Sequence, residues 1–143
     1  MAVTGGIVER FGTGAPKVTH TVAAAVTAGR LVELTAAGRR VQHAGAASLK
    51  VCGVALQDAS AAEDKIAVAT GGIWDLKAAG AITVGDLVMA GAAGTVSTVP
   101  AVDATNVATL GTGMTNTRAT VGIALESIAD TASGPIQLQK VGS

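Results

Sequence analysis

The chain has 143 residues, a length that suits one domain, and its ten basic and ten acidic residues cancel to a formal net charge of zero. Charged residues make up only 14% and there are just one Phe and one Trp. That excludes nucleic acid as a partner, because phosphates demand a basic excess and single strands demand stacking aromatics.

Residues 1–17 read as an extended, flexible N-terminal arm. Gly5, Gly6, Gly12, Gly14 and Pro16 punctuate it, and glycine at that density resists regular structure. Ile7, Val8 and Phe11 are its apolar residues and its candidate contact points on a neighbouring molecule. Such a segment cannot order itself, so its order is expected to come from a partner. The start, Met1-Ala2-Val3-Thr4, lacks the basic and apolar run of a signal peptide, so synthesis in the cytoplasm is expected.

The β domain is expected over residues 18–143. Val18–Val22 alternates as a strand, and Ala23–Ala28 has room for a helical turn. Gly29 turns the chain into the strand Leu31–Thr35, and Ala36-Ala37-Gly38 leads to a hairpin partner, Arg39–Gln42. Val51–Leu56 is a strand with Gly53 inside it, a position that often marks a bulge or a close backbone approach. After the polar connection Asp58–Asp64, Lys65–Thr70 alternates, Gly71-Gly72 turns, and Ile73–Leu76 forms a short strand. Leu87–Ala90 and Thr95–Thr98 make a second hairpin around Gly91–Gly94. Ala101–Thr117 has no clear period and reads as an ordered loop or excursion. Thr120–Glu126 and Pro135–Val141 close the domain as strands.

The chain states one phrase twice. Gly53-Val54-Ala55-Leu56 returns as Gly122-Ile123-Ala124-Leu125, and Thr27-Ala28-Gly29-Arg30-Leu31-Val32 returns as Thr83-Val84-Gly85-Asp86-Leu87-Val88. Ile66-Ala67-Val68 then matches Ile136-Gln137-Leu138. Three landmarks in one order signal an internal duplication, with halves of about 18–78 and 79–143. Gly29 to Gly53 spans 24 positions and Gly85 to Gly122 spans 37, so the second half carries about thirteen extra residues, assigned to Pro100–Thr117. The fold class is therefore all-β: a small barrel or sandwich built from two pseudo-repeated halves. Its core is thin, because 30 of the apolar residues are alanine and aromatics are almost absent. Such a domain is expected to gain stability by burying surface against partners, as a homo-oligomer.

Chemistry is sparse. His20, His43 and Cys52 do not make a recognisable metal-ligand spacing, and one cysteine cannot build a disulfide framework. There is no Gly-x-Ser-x-Gly elbow. Gly12-Thr13-Gly14 and Gly111-Thr112-Gly113 lack the Lys-Ser/Thr of a phosphate loop. No enzyme activity, cofactor or metal is expected. No stretch is long and apolar enough to span a bilayer, so no membrane partner is expected either. Trp74 suits a core plug or an interface anchor.

The segments Val26-Thr27-Ala28-Gly29-Arg30-Leu31-Val32, Cys52-Gly53-Val54-Ala55-Leu56 and Ile66 through Leu76 come first in a longer pattern. They are followed by Ile82-Thr83-Val84-Gly85-Asp86-Leu87-Val88 and Val121-Gly122-Ile123-Ala124-Leu125-Glu126. In that order they resemble the capsid decoration, or cement, proteins of tailed bacteriophages. The resemblance implies a structural protein on the outer capsid surface of the virion. It would bind the major capsid protein, bridge neighbouring capsomers and associate as a homotrimer. An alternative resemblance, through Glu63-Asp64-Lys65-Ile66-Ala67, Gly72 and Val84–Val88, is to lipoyl or biotinyl carrier domains, which would make Lys65 the modified residue.

Overall fold

The computed structural model describes residues 3–4, 16–102, 105 and 107–139. Strands dominate. The first five-stranded unit is a closed barrel of β2 (Lys17–Val22), β4 (Arg40–His43), β3 (Leu31–Leu34), β5 (Val51–Ala55) and β7 (Lys65–Ala69), in that order around it. The second is a five-stranded sheet in the order β10 (Val96–Thr98), β9 (Leu87–Ala90), β11 (Thr120–Ala124), β12 (Ser133–Leu138), β8 (Gly72–Lys77). Two short strands, β1 (Val3–Thr4) and β6 (Asp58–Ala59), pair beside the first barrel. The all-β expectation holds, and the two halves share one topology. β2, β3, β4, β5 and β7 correspond to β8, β9, β10, β11 and β12.

The correspondence extends to single hydrogen bonds. β2 runs parallel to β4, and the end of β8 makes the same parallel bridge to β10, Ala78 to Val96. Gly29 N–H donates to the Ala55 carbonyl and Gly85 N–H to the Ala124 carbonyl, both at 2.8 Å. Val22 N–H reaches the Asp64 carbonyl and Ala78 N–H the Ala132 carbonyl, again both at 2.8 Å. The bridges Val26–Ala59 and Ile82–Ile128 match as well. Residues Glu63 and Thr131, at equivalent corners, both have positive φ, 76° and 65°.

Gly53 and Gly122 sit beside equivalent β-bulges, where β5 pairs with β3 and β11 with β9. A Cβ on Gly53 would lie 2.2 Å from the Ala69 carbonyl oxygen, and one on Gly122 would lie 2.4 Å from that of Gln137. The repeated phrase thus reflects a close approach of two backbones at each bulge.

Four sequence expectations need correction. The closing strands align Val68, not Ile66, with Ile136, because Val54 faces Ala69 while Ile123 faces Gln137. A two-residue slip keeps every side chain on its own face, so alternation could not detect it. The repeat boundary falls at Thr70-Gly71 rather than near residue 78, since β8 pairs with β12 in the second sheet. Ala101–Thr117 is not a loop throughout: Val107–Arg118 forms a helix, α1. Its Thr- and Gly-rich sequence has almost no apolar stripe, which is why no helical period marks it. Residues 23–28 make bends and the Val26 bridge instead of a helical turn.

The interior of the first barrel is Val22, Val26, Val32, Val41, Ala55, Ala59, Ile66 and Val68. The second core includes Trp74, Leu76, Ala78, Ile82, Val88, Val96, Ala124, Ile128 and Ile136, and it is continuous with Leu31, Val54 and Ala69 on the outside of the first barrel. Small and large residues exchange between the copies. Ala59 with Ile66 in the first barrel becomes Ile128 with Gly134 in the second, where a Cβ on Gly134 would lie 2.5 Å from Ile128 Cγ1. In each copy the small member of the pair makes room for the large one.

Candidate interaction surfaces

The barrels meet through the β9–β10 hairpin. Its tip, Ala92–Gly94, lies on the start of β3, with Ala93 and Gly94 both at positive φ (53° and 75°). Gly94 N–H donates to the Ala44 carbonyl at 2.8 Å and Ala47 N–H to the Ala90 carbonyl at 2.8 Å. The Arg30 guanidinium donates to the Ala93 carbonyl at 3.0 Å. The approach is so close that a Cβ on Gly94 would sit 2.4 Å from the Leu31 carbonyl oxygen. Leu31 and Val54 beneath it are completely buried.

Among the described residues, the matching face of the second barrel is open. Leu87, the counterpart of Leu31, is 43% exposed, and nearby Val84 is 57% exposed. Ile123, the counterpart of Val54, is half-buried. Asp86 stands at the position of Arg30. Its Oδ2 accepts hydrogen bonds from the Thr83 N–H and the Thr98 hydroxyl, both at 3.1 Å. Val107 and Met114 of α1 are also exposed, seven residues apart on one helical face. Val18, Leu34 and Leu49 are exposed on the first barrel as well, and singly exposed apolar residues are ordinary on a surface.

A third surface is a groove of about 550 Å³ along the first barrel, lined by Leu34, Thr35, Leu49, Lys50, Val51 and Cys52 among others. The Cys52 thiol donates to the Val32 carbonyl at 3.7 Å, and burial pushes its pKa up to about 11. It is therefore a thiol, not a nucleophilic thiolate, at neutral pH. Under the 44–50 connection, Glu33 is 8% exposed and accepts hydrogen bonds from the Gln42 amide and the Gly45 N–H. Burial works to raise its pKa. The bonds from Ser48, Gln42 and Gly45, with the Lys50 charge, outweigh that and hold the carboxyl below its usual value. His43 Nε2 accepts the Thr27 N–H at 2.9 Å, and burial, assisted by Arg30, holds its pKa below 6.5. Arg40 and Glu63 form an exposed ion pair that joins β4 to the corner before β7.

The residues singled out from the sequence fall in different places. Ile7, Val8 and Phe11 lie outside the described residues. Val3–Thr4, at the start of the arm, pairs its backbone with Asp58–Ala59 of the chain's own barrel, where an ordering neighbour was expected. The reason is that β6 offers an edge that any extended segment can extend. Trp74 is 1% exposed inside the second core, and its Nε1–H donates to the Gly71 carbonyl at 2.7 Å, so its ring presents no face to a partner. Lys65 is the first residue of β7, in register with Thr21, rather than the tip of a protruding hairpin as a carrier lysine requires. His20 lies on β2 and His43 and Cys52 on β4 and β5; among the described residues no group of three His, Cys, Asp or Glu could hold a metal ion. Also among them, no helix is long and apolar enough to cross a membrane. The open face on the second barrel escaped sequence reasoning, although the repeat that defines it was visible.

The chain is a closed five-stranded barrel joined by tight backbone packing to a second five-stranded unit of the same topology. The sequence profile of phage cement proteins matches residues 11–137, and the chain belongs to the phage cement protein family: it is a structural, capsid-associated phage protein. Its fold is similar to that of the head fiber gp8.5 N base of bacteriophage phi29, with a TM-score of 0.62 over 90% of this chain and 97% of that one, at 18% identity. No curated protein matches the chain.

Proposed function

We propose that the protein decorates the outer surface of a tailed-phage head, bound to the major capsid protein as a homotrimer that bridges neighbouring capsomers. The family match across residues 11–137 carries this reading. The physical layout supports it: the formal charge is zero, the chain has only one Phe and one Trp, and Val84 and Leu87 on the second barrel and Val107 and Met114 on α1 are exposed. In this reading the arm reaches the shell or an adjacent decoration subunit through Ile7, Val8 and Phe11. Burying each of those side chains contributes about 1.5–3 kcal/mol, modest for one subunit and large when repeated over a lattice.

Co-sedimentation with purified heads lacking their decoration tests the proposal. The full chain is expected to pellet with heads and to appear at symmetric positions in particle images. A variant lacking residues 2–16 is expected to keep its β-type circular dichroism and to be retained less. A full-length chain that stays in the supernatant refutes the function; equal retention of both chains refutes the arm's part in it.

A further inference from the structure

The internal contact between the barrels is half of a pair. The surface that receives the β9–β10 hairpin on the first barrel, Arg30-Leu31 with Val54, recurs on the second barrel as Asp86-Leu87 with Ile123, where no hairpin among the described residues covers it. The hairpin that fills it also recurs. β3–β4 turns through Gly38 and Arg39, both at positive φ like Ala93 and Gly94, and residues 36–39 are all exposed. The registers Leu34–Val41 and Ala90–Val96 align Arg39 with Gly94. Each copy of the chain therefore carries one unused hairpin tip and one unused receiving face.

We infer that a second copy of this chain docks its β3–β4 hairpin on the Val84–Asp86–Leu87 face, with Arg39 against Asp86. This rests on the self-association proposed above and assigns its interface. Two substitutions distinguish the outer contact from the inner one. Inside the chain the receiving residue is basic, Arg30, and the tip residue is Gly94; between chains they are acidic, Asp86, and basic, Arg39. The charges are complementary only in the second case. Arg39 cannot enter as deep as Gly94, whose Cβ would already lie 2.4 Å from a carbonyl oxygen. The docked hairpin therefore sits further out, where a guanidinium reaches the Asp86 carboxylate held by Thr83 and Thr98. The contact joins different patches on the two copies, so it is heterologous, and such contacts close into rings such as a trimer when the rotation permits.

Sedimentation equilibrium of the full chain, Arg39→Asp, Asp86→Arg and the double exchange tests this. Wild type is expected to self-associate, each single exchange to weaken association at least about tenfold by facing like charges, and the double exchange to recover it. A wild-type chain that remains monomeric overturns the inference, as does an Arg39→Asp chain that associates like wild type. Because Asp86 also holds Thr83 and Thr98, a second readout avoids changing it. Ala37→Cys chains mixed with Val84→Cys chains are expected to form a disulfide-linked heterodimer under mild oxidation, and no heterodimer overturns the interface. Particle binding separates this from the capsid reading. A monomeric Arg39→Asp chain that still pellets with heads leaves the capsid function standing. A self-associating wild type that ignores heads leaves only the interface standing.

Discussion

Replacing Gly94 by alanine tests how the two barrels are held together. The substitution carries two separable costs. An alanine at φ 75° occupies the left-handed region, at roughly 1–2 kcal/mol. Its Cβ would also lie 2.4 Å from the Leu31 carbonyl oxygen and 3.0 Å from Arg30 Cβ, so the hairpin must lift away from β3. Backbone shifts of that kind cost typically about 1–3 kcal/mol. Together Gly94→Ala should lose about 2–5 kcal/mol, a large part of the roughly 5–15 kcal/mol that stabilises a folded domain. For a chain of this size the melting temperature should fall by roughly 8–20 °C. The control is Gly38→Ala. Gly38 has a similar φ of 67° but no atom within 4 Å of its Cβ position, so it reports the backbone cost alone. Urea unfolding of both variants beside wild type gives the comparison. If Gly94→Ala is no more destabilised than Gly38→Ala, the tip does not bear on β3 as closely as described and the packing argument fails.

Other outcomes follow from the same geometry. Gly53→Ala and Gly122→Ala meet carbonyl oxygens at 2.2 and 2.4 Å, so urea titration should show both strongly destabilised, by similar amounts. Ile128→Ala should cost about 2–5 kcal/mol by leaving a cavity, and adding Gly134→Ile, which copies the Ala59–Ile66 pair, should recover part of that; a double variant as weak as the sum of the two singles would contradict the size exchange. Acid should destabilise the fold. Glu33 and His43 both have folded pKa values below their usual 4.5 and 6.5, so each contribution is complete above the unfolded value and is lost as pH falls through the folded one. Melting temperature followed from pH 7 downward should decline, first with His43 and then with Glu33, and Glu33→Gln should flatten the lower part of the decline.

The sequence by itself determined the duplication, the all-β class and the family. Those features are local or periodic: strand alternation, glycine turns and a repeated phrase survive in the order of residues. Gly53 and Gly122 could be paired by inspection because each answers a steric demand that only glycine meets at its bulge. α1 was hidden because Val107–Arg118 is held as a helix without an apolar face to announce it. The true register of the closing strands was hidden because a two-residue shift leaves alternation unchanged. The fates of Leu31 and Leu87 were settled only by tertiary structure. The two leucines occupy the same place in the same phrase, yet one is fully buried and the other 43% exposed. Their neighbours differ at Arg30 and Asp86, yet neither residue type announces which leucine will be covered. The difference arises because the tip of the β9–β10 hairpin lies over Leu31, while among the described residues no equivalent hairpin lies over Leu87.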